Sequence, residues 1–108
     1  MTTKSKRRHN SSTNAFLEKL NGGPLTFSQA LAAIRLADEL SLAAFADRLG
    51  ISRTHLSDIE HGRRSVSLQR ASEFATLLGY SEAHFVRLAL QDQVRDAGLK
   101  LKVDVHAA

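Results

Sequence analysis

The chain has no cysteine, a single proline and no long apolar run, and these shortages narrow its class before any motif is read. Without cysteine there is neither a disulfide framework nor a thiolate zinc site. The five histidines, His9, His55, His61, His84 and His106, show no spacing that gathers metal ligands, so neither a metal nor a cofactor is expected. Nucleophile and base arrangements, a glycine-rich phosphate loop and a paired-carboxylate constellation are also missing, which argues against an enzyme. Asp92 and Asp96 stand one helical turn apart, but with Arg95 beside them they read as a solvated helix face. No stretch approaches membrane-spanning length and the first residues lack the hydrophobic core of a secretion signal, so a cytoplasmic chain without membrane contact is expected. Scarce proline with 43% apolar residues favours an ordered helical chain over disorder, and 108 residues allow one small domain with a modest core.

What is present is positive charge in two places. Lys4, Lys6, Arg7 and Arg8 carry the whole net charge of +4, and the remaining 11 basic and 11 acidic groups cancel. Inside that neutral body, Arg48, Arg53, Arg63, Arg64 and Arg70 outnumber Asp58 and Glu60. Cations on an arm and around one segment are placed as phosphates would require.

Periodicity divides the chain further. Residues 1–11 have no apolar pattern and read as a disordered basic arm. A short helix is expected over residues 12–20, ended by Asn21-Gly22-Gly23-Pro24. Thr26 and Gln29 have the spacing of a capping box and open a helix expected to run to about Leu40, with Leu31 and Ile34 on its buried face. Further helices follow over residues 42–49, 53–61, 67–78 and 81–97, the last four closed by Gly50, Gly62, Gly79 and Gly98. The expectation is an all-α fold of five to six short helices over residues 12–98.

Residues 99–105 break the helical period. Leu99, Leu101, Val103 and Val105 alternate with polar residues at the period of a half-buried strand. A lone strand leaves its backbone unpaired, and no other segment is a convincing strand. The economical partner is the same strand of a second copy, antiparallel across a two-fold axis, making residues 99–108 a dimerisation segment. Packing back on the domain, or pairing with the short stretch at residues 25–27, are the alternatives.

The most informative run is LAAFADRLGISRTHLSDIEH, from Leu42 to His61. Gly50 sits where a chain leaves a helix through a left-handed conformation, and Ser52 caps a new helix at once. Two short helices joined so tightly cross steeply, and the first needs a small side chain at the contact, which Ala46 supplies. Ile51, Leu56 and Ile59 turn inward. Arg53, Thr54, Ser57 and Asp58 are left on the outer face, the layout of a DNA recognition helix.

With these residues the chain resembles the phage-repressor-like helix-turn-helix family of Cro/CI, or xenobiotic-response-element, type. The resemblance covers about residues 27–80 and is carried by SLAAFADRLGIS, RTHLSDIEHGRR and SLQRASEFATLLGY. It implies a lambda-repressor-like domain in which Arg53, Thr54, Ser57 and Asp58 read bases. Chemistry permits this: Arg53 can pair with guanine O6 and N7, the Thr54 methyl can meet thymine, and Asp58 can accept from cytosine N4. Ser52, His55, His61, Arg63, Arg64 and Ser67 become candidate phosphate contacts, which position without reading sequence. In relatives a pair matching Arg35 and Glu60 forms an ion bridge, so the same structural pair is expected here. Leu42 stands where relatives often carry Gln, which leaves its backbone N–H as the phosphate contact. Val66 replaces a common Pro, so a looser loop is expected there.

The resemblance implies a sequence-specific regulator of double-stranded DNA, a dimeric repressor reading a palindromic operator in the major groove. The alternative is the antitoxin of a type II toxin–antitoxin pair, which binds a protein toxin and represses its own operon. The two share their DNA chemistry and differ in the protein partner.

Overall fold

A computed structural model describes residues 25–108 of the chain. The basic arm over residues 1–11, the helix expected over residues 12–20 and the break after it lie outside the described residues. The rest is all-α, with α1 (Phe27–Ala37), α2 (Leu42–Leu49), α3 (Arg53–Glu60), α4 (Leu68–Leu78) and α5 (Glu82–Asp96).

Each helix begins on a side-chain oxygen that satisfies a backbone N–H lacking an intrahelical partner. Thr26 forms the full capping box: its hydroxyl accepts from the Gln29 N–H, and the Gln29 side chain accepts from the Thr26 N–H. Ser41, Ser52, Ser67 and Ser81 cap the other four. The first helix ends at Ala37, three residues short of the expected Leu40. There the Glu39 N–H donates to the Leu36 carbonyl and the Leu40 N–H to the Arg35 carbonyl, which turns the chain with Glu39 at φ 57°.

Apolar faces from all five helices meet in one core. Phe45, Phe74, Phe85, Leu56 and Ile59 are fully enclosed. The Phe27 and Phe85 rings meet edge to face with centroids 5.5 Å apart, tying the start of α1 to α5. Helix α5 packs most extensively on α4 and also backs α1. The helix-turn-helix is thus held on a scaffold made by its neighbours. Val66, where a looser loop was expected, is buried in this core, and its side chain pins the segment between α3 and α4.

The tail departs from the expected strand. Residues 99–108 are irregular, and no ladder joins them to residues 25–27 or to any other described segment. A ladder requires a second strand, which a single copy of the described chain does not supply. Instead the tail is tied to α5, where the Leu99 N–H donates to the Val94 carbonyl and the Gln91 side chain makes two further bonds. The Gln91 amide donates to the Leu101 carbonyl at 2.7 Å and accepts from the Val103 N–H at 2.8 Å.

Candidate nucleic-acid interface

The turn between α2 and α3 sets the geometry of the site. Gly50 takes φ 73°, a conformation that strains any residue with a Cβ. This lets the Gly50 N–H reach the Asp47 carbonyl and the Ile51 N–H the Ala46 carbonyl, so the helix ends in a Schellman motif. Ser52 accepts from the His55 N–H three residues later, and α3 starts in a new direction. Ala46 is buried at the crossing, and Leu56 and Ile59 point into the core. The outer face of α3 is therefore fixed by what its inner face buries.

On that outer face Arg53 and Thr54 are exposed at the first turn. Arg53 forms no hydrogen bond or ion pair with any described residue, so its five N–H donors face solvent. Ser57, half-buried, lies one turn on, with its carbonyl 2.7 Å from His61 Nδ1. Asp58 is engaged. Its Oδ1 accepts from Arg63 Nε at 2.9 Å and pairs with Arg63 Nη2 at 2.8 Å. The Asp58 carbonyl also accepts from the Arg63 and Arg64 N–H groups, which folds the loop back against the end of α3.

Beside this face stands a group of cations. Burial, together with the charges of Arg64 and Arg70, lowers the pKa of His55, and Asp58 offsets this in part. Arg70, in the first turn of α4, also lies 6.0 Å from the centre of the Phe74 ring. It was not among the expected contacts, although its place in the arginine-rich stretch was the available signal. Ser52 and Ser67 use their oxygens as caps, and each keeps a hydroxyl proton to donate. Leu42 is the first residue of α2, with its side chain against the core and its N–H at the helix start.

Two carboxylates brace the site. Glu60 accepts from Arg35 Nε at 2.8 Å and Nη2 at 3.0 Å, while Arg35 Nη1 donates to the Leu40 carbonyl at 2.9 Å. This bidentate pair raises the Arg35 pKa against an opposing effect of burial. It joins α1, the turn after it and the end of α3. Asp92 corrects the reading of a merely solvated face. Its Oδ2 accepts from the Phe27 N–H at 3.0 Å, and its Oδ1 accepts from Arg95 at 2.9 Å. Sequence spacing gave the Arg95 contact but not one 65 positions away.

With this geometry in place, the family model described as helix-turn-helix matches residues 31–85, from α1 into α5. The chain belongs to this family, of Cro/CI type, and is a DNA-binding regulator of transcription. No curated protein sequence matches it. Among solved structures it is similar to the restriction-modification controller protein C.AhdI from Aeromonas hydrophila, at 26% identity and a TM-score of 0.49, over 71% of this chain and 96% of that one. No helix among the described residues is long and apolar enough to cross a membrane.

Proposed function

We propose that the protein is a dimeric, sequence-specific repressor that lays one α3 into the major groove of each half of a palindromic operator. The observation that carries this reading is the first turn of α3. Arg53 and Thr54 stand exposed there with no described partner for the guanidinium, beside His55, Arg64 and Arg70. In this reading Arg53, Thr54 and Ser57 contact base edges. Asp58 joins them through Oδ2: Arg63 holds Oδ1 and offsets the charge, so a carboxylate can enter a groove lined by phosphates. The Leu42 N–H, Ser52, His55, His61, Arg63, Arg64 and Ser67 contact phosphates and set the register. The C-terminal tail joins two copies, which places half-site centres about 34 Å apart.

Selection of bound duplexes from a random library, followed by anisotropy titration at two salt concentrations, tests the proposal. The expected result is a palindrome with half-sites about one helical turn apart. No enriched sequence, with binding that vanishes as salt rises, overturns it and leaves the helix-turn-helix as a scaffold for a protein partner such as a toxin.

A further inference from the structure

The contact between Gln91 and the tail distinguishes the two edges of residues 99–105. In an extended chain the N–H and C=O of alternate residues face the same side. Gln91 takes the Leu101 carbonyl and the Val103 N–H, so the edge formed by Leu101 and Val103 faces α5. The opposite edge carries the N–H and C=O groups of Lys100, Lys102 and Asp104. Their backbones make no hydrogen bond to another described residue. The side chains also divide: Val103 and Val105 are half-buried, whereas Lys102 and Asp104 are exposed. Gln91 therefore supplies the hydrogen bonds of one neighbouring residue and leaves the even-numbered edge of this irregular segment open.

We infer that this open edge pairs antiparallel with the same edge of a second copy, in the register that places Val103 opposite Val103 on the two-fold axis. The inference rests on the dimeric reading above and specifies its interface. Pairing through the even-numbered edge puts even residues opposite even residues, and charge then selects among registers. Centring on Leu101 sets Lys100 against Lys102. Centring on Lys102 gives two Lys100–Asp104 pairs but sets Lys102 against its own copy on the axis, and centring on Asp104 sets two aspartates together. Centring on Val103 sets Lys102 against Asp104 twice. The opposite face then meets as Val103 on Val103 and Leu101 on Val105, with Val103 at a non-hydrogen-bonded position where side chains approach most closely. Leu101, at 62% exposure in the single copy, gains an apolar neighbour there.

The absence of native cysteine makes a cysteine series at positions 101 to 105 the direct test in the full chain. A residue on the two-fold axis faces its own copy at a separation that a disulfide spans. Residues one or two positions from the axis are separated from their own copies by about 7 or 14 Å along the strands. Val103→Cys is expected to oxidise to a covalent dimer fastest. Fastest oxidation at another position overturns the register, as does no cross-link at any position in a chain that sediments as a dimer. A chain that sediments as a monomer fails the dimeric reading and the register together. If selection has already returned a palindrome, a negative cysteine series refutes this interface alone.

A charge exchange needs no new cysteine. Lys102→Asp and Asp104→Lys each make two like-charged pairs and are expected to weaken the homodimer about tenfold. Mixed together, the two variants form opposite-charge pairs and should give a heterodimer of near-native affinity. Independent weakening without recovery on mixing overturns the proposed pairing.

Discussion

Arg53 and His55 lie two residues apart and answer different questions about the interface. Arg53 has no described partner, so its removal leaves the folded chain without a broken contact. Arg53→Ala is expected to leave the melting temperature unchanged, to cost roughly 1–3 kcal/mol in operator binding and to relax preference at one base. Binding titrations across single-base operator variants check this; uniform weakening would make Arg53 a phosphate contact. His55 reports on the cations around it. Burial and the Arg64 and Arg70 charges hold it below its ordinary value of 6.5, so the folded chain binds fewer protons there than the unfolded chain. The stability contributed by neutral His55 is complete above pH 6.5 and is lost as pH falls from there through the lower folded value. Urea midpoints of the native chain and of His55→Gln, compared between about pH 8 and pH 5, should diverge only toward acid. Phosphates brought beside His55 favour its charged form, so operator affinity should increase over the same interval.

At the scale of the element, the ends of α1 show what is legible in a sequence and what is not. Its start could be read because a capping box is local: Thr26 and Gln29 are three residues apart, and both reciprocal bonds form. The turn from α2 to α3 was legible for the same reason, since Gly50, Ser52 and Ala46 meet demands set within a few residues. The end of α1 was not. A glutamate at φ 57° has no sequence signature, because it takes the left-handed C-terminal position that glycine usually marks; local bonds hold it there, from the Glu39 N–H to the Leu36 carbonyl and from the Leu40 N–H to the Arg35 carbonyl, with the Arg35 side chain on the Leu40 carbonyl. Glu39→Gly removes the Cβ strain and should stabilise the fold by about 0.5–1 kcal/mol, read as a higher urea midpoint at unchanged slope. Asp92 was equally hidden. Its spacing revealed a helix neighbour, whereas its bond to the Phe27 N–H arises from the packing of α1 on α5. Asp92→Ala leaves that part-buried N–H without its acceptor and should cost roughly 1–3 kcal/mol, with earlier amide exchange at the start of α1 than elsewhere.

For the whole molecule, the proposed dimer makes the decisive quantity how strongly two weak half-site contacts are linked. One α3 offers about four outward side chains and a few cations, and each good bidentate base contact contributes about 1–3 kcal/mol of discrimination. On the proposed reading a single copy is expected to bind a half-site weakly and to depend on phosphates that salt screens. Joining two copies makes the second contact intramolecular, which raises affinity by about 10²–10⁴ without any new contact to DNA. Deleting residues 99–108 removes the proposed joint and leaves the core intact, because Leu99 and Leu101 lie outside it and are exposed. The truncated chain should keep its helical circular dichroism, sediment as a monomer and bind the operator about 10²–10⁴ times more weakly. Its preference within one half-site should persist, because α3 keeps its shape through Gly50, Ala46 and the Arg35–Glu60 pair, none of which hydrogen-bonds to the tail. Full-strength binding by that monomer would place the linkage elsewhere; lost preference within the half-site would mean that the tail shapes the reading head itself.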